Sequence, residues 1–114
     1  MKIELTDYRL HLVFCPMDMR RGFRSLSALA DVALSLNVWE CRDCVIFVSK
    51  SRSICKAIWC DATGSMLLTR QLKSGRFAQL VARAQDGAAL LTTSEEINEF
   101  FSGHTIQRVP RAIV

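Results

Sequence analysis

Two sets of side chains in this sequence could do chemistry, and they point in different directions. The first is cationic: Arg20, Arg21, Arg24, Lys50, Arg52, Lys56, Arg70, Lys73 and Arg76 fall on expected loops, turns and exposed faces. Arginine presents a planar fork of donors that matches phosphate, so bases placed in this way suit a nucleic-acid backbone. The second set is the thiols Cys41, Cys44, Cys55 and Cys60, of which Cys41-x-x-Cys44 has the spacing of a zinc-ligand pair. Cys55 and Cys60 share one expected strand at an odd separation, and period-two geometry sends them to opposite faces unless a bulge intervenes. Buried structural cysteine is the more economical reading, and a small cysteine-rich zinc-binding interaction module stands as the alternative. No metal ligand, cofactor or catalytic residue is assigned. His11 and His104 come with no identifiable nucleophile or orienting carboxylate, and Asp18 and Asp61 are explained by an N-cap and a turn.

Charge is unevenly spread along the chain. The net charge is +4, yet residues 20–83 carry eleven bases against four acids, a local +7, while the tail from Ala84 carries two bases against four acids. A basic body between mildly acidic ends implies an anionic partner.

These side chains need a frame to hold them. Tyr8 to Phe14 alternates and then becomes wholly apolar, as a strand does on entering a core, and Pro16 is expected to end it. Asp18 is the expected N-cap of a helix from about Met19 to Leu36, with Asn37 as its C-terminal cap. Met19, Phe23, Leu26, Ala30 and Ala33 form its buried face, and Arg20, Arg24, Ser27 and Asp31 the opposite one. Arg20, Arg21 and Arg24 would then crowd the positive end of the macrodipole, at about 0.3–1 kcal/mol each, with Arg20 and Arg24 one turn apart.

Three apolar runs follow: Cys44 to Val48, Ile54 to Cys60 and Ser65 to Leu72, separated by the basic loop 49–53 and the turn Asp61 to Gly64. They read as an antiparallel meander. Arg76 to Ala84 fits either helix or irregular chain, and the structure of residues 76–92 is left unassigned. Thr93 and Glu96 form a capping box that opens a short helix through Phe101, ending near Gly103. Its stripe Ile97, Phe100 and Phe101, beside Glu95, Glu96 and Glu99, reads as a protein-docking face. Trp39, Trp59 and the phenylalanines are assigned to the core, with Phe77 beside Arg76 the candidate for stacking on a base. The expected class is α+β: strand, long helix, three-stranded antiparallel β-meander and C-terminal helix in a single domain over 1–114, with a loosely held tail from about 104.

Half of the residues are hydrophobic, enough for a core without disulfides. No uncharged stretch approaches the ~20 residues that span a bilayer, and an odd set of five cysteines fits reduced thiols, so a cytoplasmic protein with no membrane association is expected.

The order and spacing of several motifs resemble those of the accessory proteins of insertion-sequence elements of the IS sixty-six type, of the kind called TnpB there. The resemblance is carried by Pro16, Asp18-Met19-Arg20-Arg21-Gly22, Leu26 and Leu29, by Val45 to Val48 followed by Lys50 and Arg52, and by Lys56, Trp59, Asp61, Gly64, Arg70, Leu72 and Gly75-Arg76-Phe77. It spans about Tyr8 to Gly103. Leu68, Thr69 and Gln79 stand where the family is usually aromatic, and Ala62 where its turn has a glycine. The resemblance implies a non-catalytic accessory role in transposition beside a separate transposase. Contact with DNA, with that transposase, or with both is the expectation, and a homo-oligomer is compatible with it.

Overall fold

A computed structural model describes residues 5, 7–17, 20–77, 89–92, 94–103 and 111–112, with the side chains of 14–17, 89–92, 94, 96, 97, 111 and 112 excepted. Strand β1 (Arg9–Met17) leads to helix α1 (Phe23–Leu34), a 3-10 turn (Val38–Glu40), and strands β2 (Asp43–Ser49), β3 (Ile54–Cys60) and β4 (Ser65–Gln71). Strand β5 (Ala89–Thr92), helix α2 (Ser94–Phe101) and strand β6 (Arg111–Ala112) complete the order. The strands form one six-stranded mixed sheet in the order β4-β3-β2-β1-β5-β6.

The class is α+β, but its arrangement differs from a strand, a helix and a separate meander. β2, β3 and β4 do run antiparallel to one another, yet β2 also pairs in parallel with β1, so they form one half of a larger sheet. Parallel neighbours need a crossover connection, and α1 supplies it. β2 lies inside the sheet with both faces covered and every residue buried, which explains its unbroken apolar run Cys44 to Val48. β4 lies at the edge and is mostly exposed. On the other side β5 and β6 extend the sheet, with Leu91 opposite Arg111, so part of the expected tail is a strand.

Two cores sit on opposite faces. On one, Leu10, Leu12, Cys44, Ile46, Cys55, Ala57 and Phe77 pack with Phe100 and Phe101 of α2. On the other, Val13, Val45, Phe47, Ile58 and Cys60 pack with Leu26 and Ala30 of α1 and with Val38.

The first helix is shorter than expected, with 12 residues. β1 continues through Pro16 to Met17, accommodated by a register irregularity between Val13 and Met17. Gly22, not Asp18, is the N-cap, with no side-chain cap bond, and Leu26 N–H donates to the Gly22 carbonyl at 3.0 Å. Asp18, Met19, Thr93 and Gln79 lie outside the described residues. Ser35, not Asn37, ends α1 in the left-handed region (φ 55), donating to Ala30 and Asp31. Asn37 caps the 3-10 turn instead, accepting from Trp39 N–H at 3.1 Å. Ala33 is exposed, whereas Ser27 is buried and donates to the Arg24 carbonyl at 3.0 Å.

Candidate nucleic-acid interface

The basic residues are positioned chiefly by the β2–β3 turn and the segment after β4. Arg52 takes the left-handed conformation (φ 61) in that turn, and its N–H donates to the Ser49 carbonyl at 3.0 Å. The turn is bonded to the segment after β4: Leu72 N–H donates to Ser53 O at 3.0 Å and Phe77 N–H to Arg52 O at 2.7 Å. Gly75 (φ 77) lets the chain bend back for the second bond. Lys50, Arg52, Lys73 and Arg76 are thereby brought to one end of the sheet, with Arg70 one residue inside it, opposite Cys55.

Lys56 extends the group across the face that α1 covers. Its Nζ donates to the Arg21 carbonyl at 2.9 Å, which brings Arg21 alongside, next to Arg20. Arg20 and Arg21 therefore precede the helix, and of the three arginines Arg24 alone lies in its first turn, so Arg20 and Arg24 are not a helical i, i+4 pair. Arg21 Nη1 donates to Ser25 Oγ at 2.7 Å. Arg24 lies over the Trp39 ring, its guanidinium carbon 6.0 Å from the ring centroid.

Some of these cations also hold the fold. Arg70 Nε donates to the carbonyl of Phe101, the last residue of α2, at 2.8 Å, a cation satisfying a helix C-terminus. Arg52 Nη1 reaches the Phe77 carbonyl at 3.5 Å. Lys50, Lys73 and Arg76 are exposed and bear no side-chain hydrogen bond or ion pair among the described residues.

Phe77 keeps its core assignment and loses its candidacy for stacking on a base, whereas Trp39 departs from the core. Phe77 is fully buried and stacks on Phe100 at 4.9 Å, so its ring cannot stack on a base. Trp39, expected in the core, is 50% exposed, held by an edge contact with Phe23 at 5.0 Å. The stripe on α2 is likewise absorbed: Phe100 and Phe101 are fully buried, so neither presents a docking face.

The thiols do not converge. Cys44 and Cys55 lie in the α2-side core, whereas Cys60 and the half-buried Cys41 belong to the α1 side. Burial pushes the Cys44 and Cys55 thiols up to about 12. Among the described residues no group of three His, Cys, Asp or Glu side chains is placed to hold a metal ion.

One cluster escaped the sequence reading. His11 Nε2 lies 2.8 Å from Asp43 Oδ1, and Arg9 makes a bidentate pair with the same carboxylate at 2.9 and 3.0 Å. Burial alone would raise the Asp43 carboxyl, but hydrogen bonds from Arg9 and His11 outweigh it and hold the group below its usual value. His11 does have an orienting carboxylate, then, brought from 32 residues away by the parallel β1–β2 pairing. Both side chains are 4% exposed, which seals the pair from solvent. The available signal was a lone acid and a lone histidine on strands whose pairing local periodicity does not encode.

Two curated proteins of Sinorhizobium fredii are similar to this chain. The uncharacterized protein y4hO is 35% identical over 86 residues, covering 75% of this chain and 71% of that one. The uncharacterized protein y4jC is 33% identical over 103 residues, 90% of this chain and 85% of its own. No solved structure matches. The family model described as IS66 Orf2 like protein matches residues 8–111, and the chain belongs to that family of insertion-sequence accessory proteins.

Proposed function

We propose that this protein is a non-catalytic accessory factor of transposition that grips DNA by its phosphates at the basic end of the sheet. One observation carries the reading: Lys50, Arg52, Lys73 and Arg76 converge from two chain segments bonded to each other. Lys56 and Arg70 continue this cationic end onto the two opposite faces, so it can follow a curved backbone. The reading is non-catalytic because His11 and Asp43, which have the chemistry of a general base, are shut off from any substrate. Family membership supports a transposase as protein partner and the cytoplasm as compartment.

The test uses Lys50, Lys73 and Arg76, whose side chains bear no hydrogen bond or ion pair among the described residues. Lys50→Glu, Lys73→Glu and Arg76→Glu combined leave the thermal transition unchanged and weaken binding to a duplex of element-end sequence by about tenfold or more. Unchanged affinity would falsify the assignment.

A further inference from the structure

Arg24, Ser27, Asp31, Leu36, Asn37 and Trp39 line a recess of about 360 Å³ between α1 and the 3-10 turn, within the range of ~300–1,000 Å³ that holds small ligands. Its chemistry is specific. Trp39 offers a half-exposed indole, held by its edge contact with Phe23 and through its backbone by Asn37. Arg24 sits over that ring, and two turns further along α1 Asp31 is exposed, its carboxylate with no hydrogen bond or ion pair among the described residues. We propose that this recess receives one unstacked nucleobase, guanine by preference, from a single-stranded stretch of the DNA whose backbone lies on the basic end. The proposal rests on the DNA-binding reading above and adds a base-specific subsite to it.

Three features argue for this occupant. A half-exposed indole provides a stacking platform, and the arginine over it caps the base plane or turns to the adjoining phosphate. An ionised carboxylate only accepts, and guanine is the base whose pairing edge offers it a ring N–H and an amine side by side. Arg24 follows Arg21, whose carbonyl holds Lys56, so the recess adjoins the cationic track along the chain. A cationic side chain of a partner protein would meet Arg24 at the same ring, and like charges repel there.

The test is fluorescence anisotropy with an oligothymidylate of about twelve residues carrying one central guanine or one central abasic site. The intact protein binds the guanine strand about fivefold or more tightly than the abasic one. Trp39→Leu and Asp31→Ala each abolish that preference while leaving duplex affinity and its salt dependence unchanged. Asp31→Ala alters only an exposed side chain, so it keeps the test decisive should Trp39→Leu unfold. Equal affinity for the two strands with duplex binding intact overturns this proposal alone, as does Trp39 fluorescence quenched by an arginine-rich peptide and not by either strand. Loss of all nucleic-acid binding in the intact protein overturns both readings together.

Discussion

Arg52 and Phe77 hold each other in both directions: Phe77 N–H donates to the Arg52 carbonyl at 2.7 Å, and Arg52 Nη1 points back to the Phe77 carbonyl at 3.5 Å. The basic turn is thus anchored by a ring that is itself buried against Phe100. Phe77→Ala is expected to lower stability by about 3–5 kcal/mol in urea denaturation. Gly75→Ala meets no atom within 4 Å but must adopt φ +77, so it should lose only about 1–2 kcal/mol. Near-native stability of Phe77→Ala would contradict the tie.

The burial of α2 makes a second expectation. Phe101→Ser places a hydroxyl where a fully buried ring stood, and should destabilise by about 3 kcal/mol or more before any partner is added. A variant that kept its thermal transition and lost only protein binding would return Phe101 to the surface.

Asp43 sets an acid limit on stability. Its folded carboxyl ionises more readily than an unfolded aspartate of about 3.9, so the stabilisation is present above that value and lost as pH falls through the folded one. Asp43→Asn should lose about 1.5–3 kcal/mol at neutral pH and show a shallower decline below about pH 4. Parallel acid titrations of the two proteins that superimpose after a constant offset would remove Asp43 from that role.

Thiol reactivity reports on the α2-side core. Cys44 and Cys55, raised to about 12 and buried, should resist a maleimide at neutral pH until the protein unfolds. Mass spectrometry of the labelled peptides reads this directly, and rapid native labelling of Cys55 would show that the α2-side core is open.

Much of the sheet was legible because its signals are local. The apolar runs of β2 and β3, the Asp61 turn, in which Oδ1 accepts from Thr63 and Gly64 N–H at 2.9 Å, and the split of Cys55 from Cys60 all follow from neighbours in sequence. The parallel pairing of β1 with β2, and the extension through β5 and β6, depend on contacts between distant segments that periodicity does not carry. The start of α1 was displaced because β1 persists through Pro16. At the basic end, residue type identified the cations but not their division of labour. Arg70 and Arg52 look like Lys73 and Arg76 in sequence, yet the first two are also bonded to backbone carbonyls. Trp39 and Phe77 show the same limit for aromatics, since apolarity says that a ring packs somewhere and not which ring remains at the surface.

The central claim, that DNA is held mainly through its phosphates, is tested most directly by the dependence of duplex affinity on salt. If about five phosphates are engaged, the log–log slope lies near −4 to −5, and the Lys50→Glu, Lys73→Glu, Arg76→Glu protein shows a slope smaller in magnitude by about 3. A slope near zero, or one unchanged by those substitutions, contradicts the account.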